Sequence, residues 1–136
     1  MGVLFSQAMA ERLGINNTDL ECLDLVLMHG PMAAGALARL SGLTSGAITG
    51  VVDRLERAGL ARREADPADR RKVLVAPAPE AETRAVPLSA PMEKAMIEVL
   101  GAYSDAELAL FIDFFGRARQ GWAKAMAEVT GRPTGG

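Results

Sequence analysis

The sequence predicts a mainly α fold with one small β-hairpin. Three observations carry that prediction. Ala fills 24 of 136 positions while aromatics make up 4%, a composition suited to packed helices more than to a sandwich or barrel. Apolar residues recur at three- and four-residue spacing along most of the chain. The period changes only between Leu60 and Ala76, where two short extended runs flank a charged turn. At 49% hydrophobic and 24% charged, the 136 residues have globular composition and fit one domain, 1–136.

Taken in order, Leu4, Phe5, Ala8, Met9 and Leu13 place a first helix over 3–13, which Gly14 stops. Thr18 and Glu21 have the spacing of a capping box, Ser/Thr at the cap and Glu three residues on. The helix they open carries Leu20, Leu23, Val26 and Leu27 on one face and ends at His29-Gly30-Pro31, because Gly favours the C-terminal cap and Pro cannot continue. A short helix over 33–40 follows, with Ala36, Leu37 and Leu40 inward. Ser41-Gly42-Leu43 is a tight turn. Thr44 is the N-cap of the next helix, whose face is Ile48, Val51, Val52 and Leu55 and whose end is Gly59. Helix, three-residue Gly-containing turn, helix is the helix-turn-helix pattern.

Runs 60–65 and 72–76 are the strands, and Asp66-Pro67 signals a type I turn between them. Pro77 and Pro79 interrupt the chain, 80–86 fits no single pattern, and Pro87 and Pro91 restrict or kink the next helix. Leu88, Met92, Met96 and Val99 place that helix over 88–101. Ser104 and Glu107 form a second capping box. It opens the longest helix, to about Val129, with Leu108, Phe111, Ile112, Phe115, Trp122, Met126 and Val129 along one stripe. The Gly/Pro/Thr tail from Gly131 reads as frayed.

Formal net charge is −2, which taken whole argues against nucleic acid. The distribution reverses that. Residues 1–38 hold one basic and four acidic side chains, residues 39–72 eight basic and five acidic, and residues 73–136 six basic and eight acidic, so the segments carry −3, +3 and −2. The positive segment coincides with the helix-turn-helix and hairpin, and local field governs binding to phosphates. Solvated surface charge is the plain alternative.

Several functions are excluded or disfavoured. One Cys (Cys22) rules out an internal disulfide or a Cys-rich zinc site, and one His (His29) disfavours a multi-histidine metal centre or a histidine triad. With no nucleophile, base and orienter to assemble, no enzyme is expected. No cofactor motif is present, neither a Walker loop nor G-x-G-x-x-G. No run approaches a membrane span, and the apolar N-terminus lacks a basic signal-peptide region, so a cytoplasmic protein is expected.

The stretch LARLSGLTSGAITGVVDRLERAGLARREADPADRRKVLVA, residues 37–76, resembles the multiple antibiotic resistance regulator (MarR) family of bacterial transcription factors. VVDRLERAGLARRE followed by D-P-x-D-R-R carries the likeness most specifically. Flanking helices extend it weakly to nearly the whole chain. The resemblance implies a winged helix-turn-helix over 32–77, with N- and C-terminal dimerisation helices at 1–30 and 87–130. It implies a homodimer on palindromic double-stranded DNA, with a repressor role and release by a small aromatic or apolar effector as further expectations. The helix from Thr44 matches the recognition helix. Arg71, in Asp69-Arg70-Arg71, matches the wing arginine of the minor groove, with Arg70 as runner-up. Asp69 is expected to orient an Arg by a bidentate pair.

The sequence departs from the family pattern at Gly46 and Gly50, where a Lys or Arg is usual, and at Pro77-Ala78-Pro79, where a Thr is usual. The glycines allow close backbone approach to DNA, or reflect drift at exposed positions. Base reading then falls to Ser45, Thr49 and Arg54, with Thr44 beside them, and phosphate contacts to Arg39, Arg62 and Arg63. Cys22, with Asp19, Glu21 and Asp24 as neighbours, reads as structural, and His29 as a helix C-cap residue. Met28, Met32, Met92 and Met96 could line an effector pocket, although core packing is the commoner use of Met. The rival to DNA binding is a winged-helix protein-interaction module, favoured by the two glycines and the acidic net charge.

Overall fold

The computed structural model describes residues 2–131. Their order is α1 (Gly2–Leu13), α2 (Asn17–His29), β1 (Met32–Ala33), α3 (Ala34–Ser41), α4 (Ser45–Arg57), β2 (Ala61–Ala65), β3 (Val73–Pro77), α5 (Pro79–Leu100) and α6 (Asp105–Thr130). The chain divides into two compact units, with the boundary between Ala90 and Pro91, inside α5. The tail read as frayed lies, beyond Gly131, outside the described residues.

The first unit holds the helix-turn-helix and the sheet. Its core is built from one face of each helix: Leu13 of α1, Leu20, Leu23 and Val26 of α2, Leu37 of α3, Ile48, Val51, Val52 and Leu55 of α4, and Leu60 and Val75 beside them. The α4 face is the one its apolar spacing requires. Full burial of each such side chain contributes about 1.5–3 kcal/mol, so α4 is held chiefly by packing. Leu40, expected inward on α3, is exposed instead, and the turn at Gly42 (φ 73°) ends the helix just beyond it. Gly59, also left-handed at φ 71°, follows the C-cap Ala58 and turns the chain toward β2.

The sheet has three antiparallel strands in the order β1-β3-β2. The hairpin pairs Arg63 with Val75 and Ala65 with Val73. The two-residue β1, not foreseen in the sequence, pairs Met32 with Val75, and a strand this short carries no readable alternation. At the hairpin tip, the Asp66 carboxylate accepts from the Ala68 N–H (2.8 Å).

Two helix starts differ from the expectation. α2 begins earlier, with Asn16 rather than Thr18 as N-cap: Asn16 Oδ1 accepts from the Asp19 N–H (2.8 Å) and Asp19 Oδ2 accepts from the Asn16 N–H (3.3 Å). Asn is as good a cap as Thr, and Asp19 is fixed from a second direction described below. α5 starts at Pro79, not near Leu88. Pro at the first helical position has its φ preset and lacks an N–H that would be orphaned anyway. Ala81 and Ala85 are buried and Leu88 packs on the same core, which anchors the first turns. Pro87 and Pro91 cannot donate to the carbonyls four residues back, yet α5 runs through both. Arg84 of α5, unremarked in the sequence, donates at the ends of two other helices, to the C-cap carbonyl of α4, Ala58 O, at 2.5 Å and to the last carbonyl of α1, Leu13 O, at 3.3 Å.

In the second unit, α6 opens on the expected box. Ser104 Oγ accepts from the Glu107 N–H, and the Glu107 carboxylate accepts from the Ser104 N–H (2.8 Å). Those bonds from Ser104 hold the Glu107 carboxyl below the usual range. Its 26 residues make a rod about 39 Å long. Phe111 stands edge-on to Tyr103 at 5.0 Å. Farther along the stripe the side chains lie open among the described residues: Phe115, Trp122 and Val129 are 67%, 73% and 84% exposed.

Candidate nucleic-acid interface

α4 presents its N-terminal turn outward. The Thr44 side chain accepts from the Ala47 N–H at 3.2 Å, which satisfies one of the helix's orphan donors. Ser45 and Thr49 are exposed. The Thr49 hydroxyl donates to the Ser45 carbonyl (3.1 Å), so its oxygen remains free to accept. These residues occupy the helix end that enters a major groove in helix-turn-helix proteins.

No fold requirement explains Gly46. A Cβ there would meet no atom within 4 Å, and at Gly50 it would meet only the far end of Arg54, at 3.2 Å. Gly46→Ala is therefore expected to stabilise the protein by about 1 kcal/mol, read as a higher denaturant midpoint. A lower midpoint would mean that something in the fold does occupy that space.

The eight cations of 39–72 separate into two sets. Arg54, Arg62, Arg63 and Arg71 each pair with a carboxylate. Among the described residues, Arg39, Arg57, Arg70 and Lys72 have no such partner. Arg57 and Lys72 carried no assignment in the sequence, where an unpaired Arg looks like a paired one.

The pairs differ in consequence. Arg62 meets Glu64 two residues along β2 (3.0 Å), a surface contact of little energy. Arg63 is gripped by α4: its guanidinium donates to Asp53 (2.8 Å) and to Glu56, and its N–H to Glu56 Oε1 (2.9 Å). That bond set joins the hairpin base to α4 and withdraws Arg63 from the free cations. Arg54, expected to read bases, turns the other way, onto Asp19 of α2.

Arg71 sits at the hairpin tip with its side chain 90% exposed. Its Nε and Nη2 donate to Asp69 Oδ1 and Oδ2 at 3.1 and 3.3 Å, and its N–H donates to Oδ1 at 3.1 Å. The fork expected of Asp69 thus selects Arg71 over Arg70. Side-chain and then backbone donation from Arg71 hold the Asp69 carboxyl below its ordinary range. The clamp therefore persists at neutral pH and is lost only as pH falls through that lowered value.

Other side chains singled out in the sequence lie apart from this surface. Cys22 is buried, and desolvation, with lesser contributions from Asp19 and Glu21, pushes its thiol up, the opposite of a reactive thiolate. Of the four Met residues weighed for a pocket, Met32 packs on the core, whereas Met28, Met92 and Met96 are exposed. Among the described residues, no group of His, Cys, Asp and Glu could hold a metal ion, and no helix is long and apolar enough to cross a membrane.

The helix-turn-helix, the wing and their order match known proteins. The MarR family profile matches residues 15–73. YcgE, an uncharacterized HTH-type transcriptional regulator of Bacillus subtilis (strain 168), is 40% identical over 116 residues, covering 85% of this chain and 75% of YcgE. The chain belongs to the MarR family. A MarR family transcriptional regulator from Silicibacter pomeroyi has a similar structure, with TM-score 0.69 at 25% identity over 85% of this chain and 77% of that one. So does a MarR-like transcriptional regulator from Thermotoga maritima, with TM-score 0.65 at 27% identity over 80% and 77%. The fold is accordingly the winged helix of MarR regulators, and the family is one of transcriptional regulators rather than enzymes.

Proposed function

We propose that this MarR regulator binds a palindromic duplex as a homodimer, with α4 in the major groove and Arg71 in the adjacent minor groove. The single observation that carries the reading is Arg71: a 90% exposed, carboxylate-oriented guanidinium at a hairpin tip, with Asp69 as its one hydrogen-bonding partner among the described residues. A narrow minor groove concentrates negative potential and attracts such a group. Thr44, Ser45 and Thr49 are the base-edge candidates, and Arg39, Arg70 and Lys72 the phosphate contacts, with Arg62 a weaker one. Arg63 serves to brace the wing.

Dimerisation is supported by the uncovered apolar stripe of α6. Two-fold symmetry would place the two recognition helices about 34 Å apart, on successive major grooves. A dimer covering two turns of duplex excludes other proteins from them, so repression is the direct consequence of occupancy. The exposed Met28, Met92 and Met96 offer adaptable apolar surface for a small aromatic or apolar effector. The bare Gly46–Gly50 face favours the rival reading, a protein-interaction module. Titration of a fluorescent duplex enriched from a random pool decides between them: saturation at one dimer per duplex is expected, and enrichment of no duplex would leave only the rival.

A further inference from the structure

The side chain of Asp19 is wholly buried, and it serves two helices at once. Its Oδ2 accepts from the Asn16 N–H in the cap of α2. Both its oxygens also accept from α4: Arg54 Nε lies 3.0 Å from each, and Arg54 Nη2 lies 2.8 Å from Oδ1. The two residues stand 35 apart in sequence. No buried side-chain polar atom among the described residues is left without a partner, so the buried carboxylate is fully satisfied.

We infer that Arg54 and Asp19 are positioning residues for DNA recognition, setting the angle at which α4 meets the duplex without touching it. This rests on the proposal that α4 enters DNA. The apolar face of α4 supplies most of the packing, but apolar contact is non-directional and tolerates sliding and tilt. A bidentate Arg–carboxylate fork is directional. Arg54 lies near the C-terminal end of α4, and Ser45, at the reading end, is nine residues away, about 13 Å along the axis. A tilt of about 10° about Arg54 would move Ser45 by about 2 Å, enough to break base contacts whose donor–acceptor distances span only a few tenths of an ångström. The buried carboxylate ties the C-terminal part of α4 to the N-terminal cap of α2, outside the helix-turn-helix, and so fixes the pivot about which the reading end would tilt. Arg54 therefore contributes through geometry, not through charge on the DNA.

The test uses the full chain and a duplex enriched by the wild-type protein, at a temperature where circular dichroism shows every variant folded. Removing one partner alone would strand a buried charge and could unfold the protein. The principal variant is therefore the double Asp19→Asn/Arg54→Met, which leaves no unpaired charge and keeps a side chain able to cap α2. It is expected to bind the enriched duplex at least tenfold more weakly than wild type, with the log affinity–log salt slope unchanged. Arg54→Lys keeps the charge but not the fork and is expected to show the same loss. The inference is overturned if the double variant binds like wild type. It is equally overturned if Arg54→Lys binds like wild type while the double variant loses about one unit of salt slope, the signature of a phosphate contact. If the wild-type protein enriches no duplex, it is the DNA-binding proposal that fails, a result distinct from either.

Discussion

Arg71→Ala is expected to weaken binding to the enriched duplex by about 1–3 kcal/mol. The residue projects from the hairpin tip, and among the described residues its one hydrogen-bonding partner is Asp69. The substitution therefore removes no core contact, and the melting temperature should stay close to wild type. Loss should be larger on duplexes with an A-tract beside the major-groove site than on GC-rich ones, because minor-groove width sets the potential the guanidinium meets. Asp69→Asn should show part of the same loss, since it weakens the fork without removing the cation. Competition titrations at fixed salt read both effects. Undiminished affinity in Arg71→Ala would remove the wing from the mechanism.

A charge placed on the α6 stripe is expected to have the largest effect of any single substitution. Phe115 and Trp122 lie on one side of a helix with no buried residue. In a two-fold interface, each substitution acts twice. Trp122→Asp should bring the mass in solution from twice 14.3 kDa down to 14.3 kDa, as read by sedimentation equilibrium. The monomer keeps its helix-turn-helix core, because none of that core comes from α6. It loses the gain from two linked heads, which is worth about a hundredfold or more in affinity. A variant that remains dimeric would place the interface elsewhere.

Much of the recognition unit was legible because its signals are local. Thr44 caps α4 from one residue away and Gly59 ends the helix just beyond Ala58. Ser104 and Glu107 make their box within one turn. The Asp69–Arg71 clamp closes across two residues. What could not be read was long-range. Thr18 and Glu21 have good capping-box spacing, but Asp19 is drawn into the box and held there by Arg54, from a helix 35 residues on. The same bond explains why the guanidinium of Arg54, plausible as a base reader in sequence, is held against α2. Arg63 looks like a free surface cation until α4 is laid beside β2 and Asp53 and Glu56 reach it. The start of α5 was hidden by four prolines between 77 and 91, which obscured the apolar spacing of Ala81, Ala85 and Leu88. Net charge shows the same effect of pairing. The +3 of residues 39–72 understates the reading surface, since the residues without partners there include Arg39, Arg70 and Lys72.

The salt dependence of duplex affinity tests DNA binding by this chain most directly. Arg39, Arg70 and Lys72 from each protomer of a dimer offer six cations to phosphates. Six contacts correspond to a log–log slope of roughly −5, and to a loss of about a thousandfold between 50 and 200 mM salt. A steep slope of that order is the expected result for the enriched duplex. An affinity that changes by less than about threefold over the same range would contradict it, and would leave a winged helix that meets a protein instead.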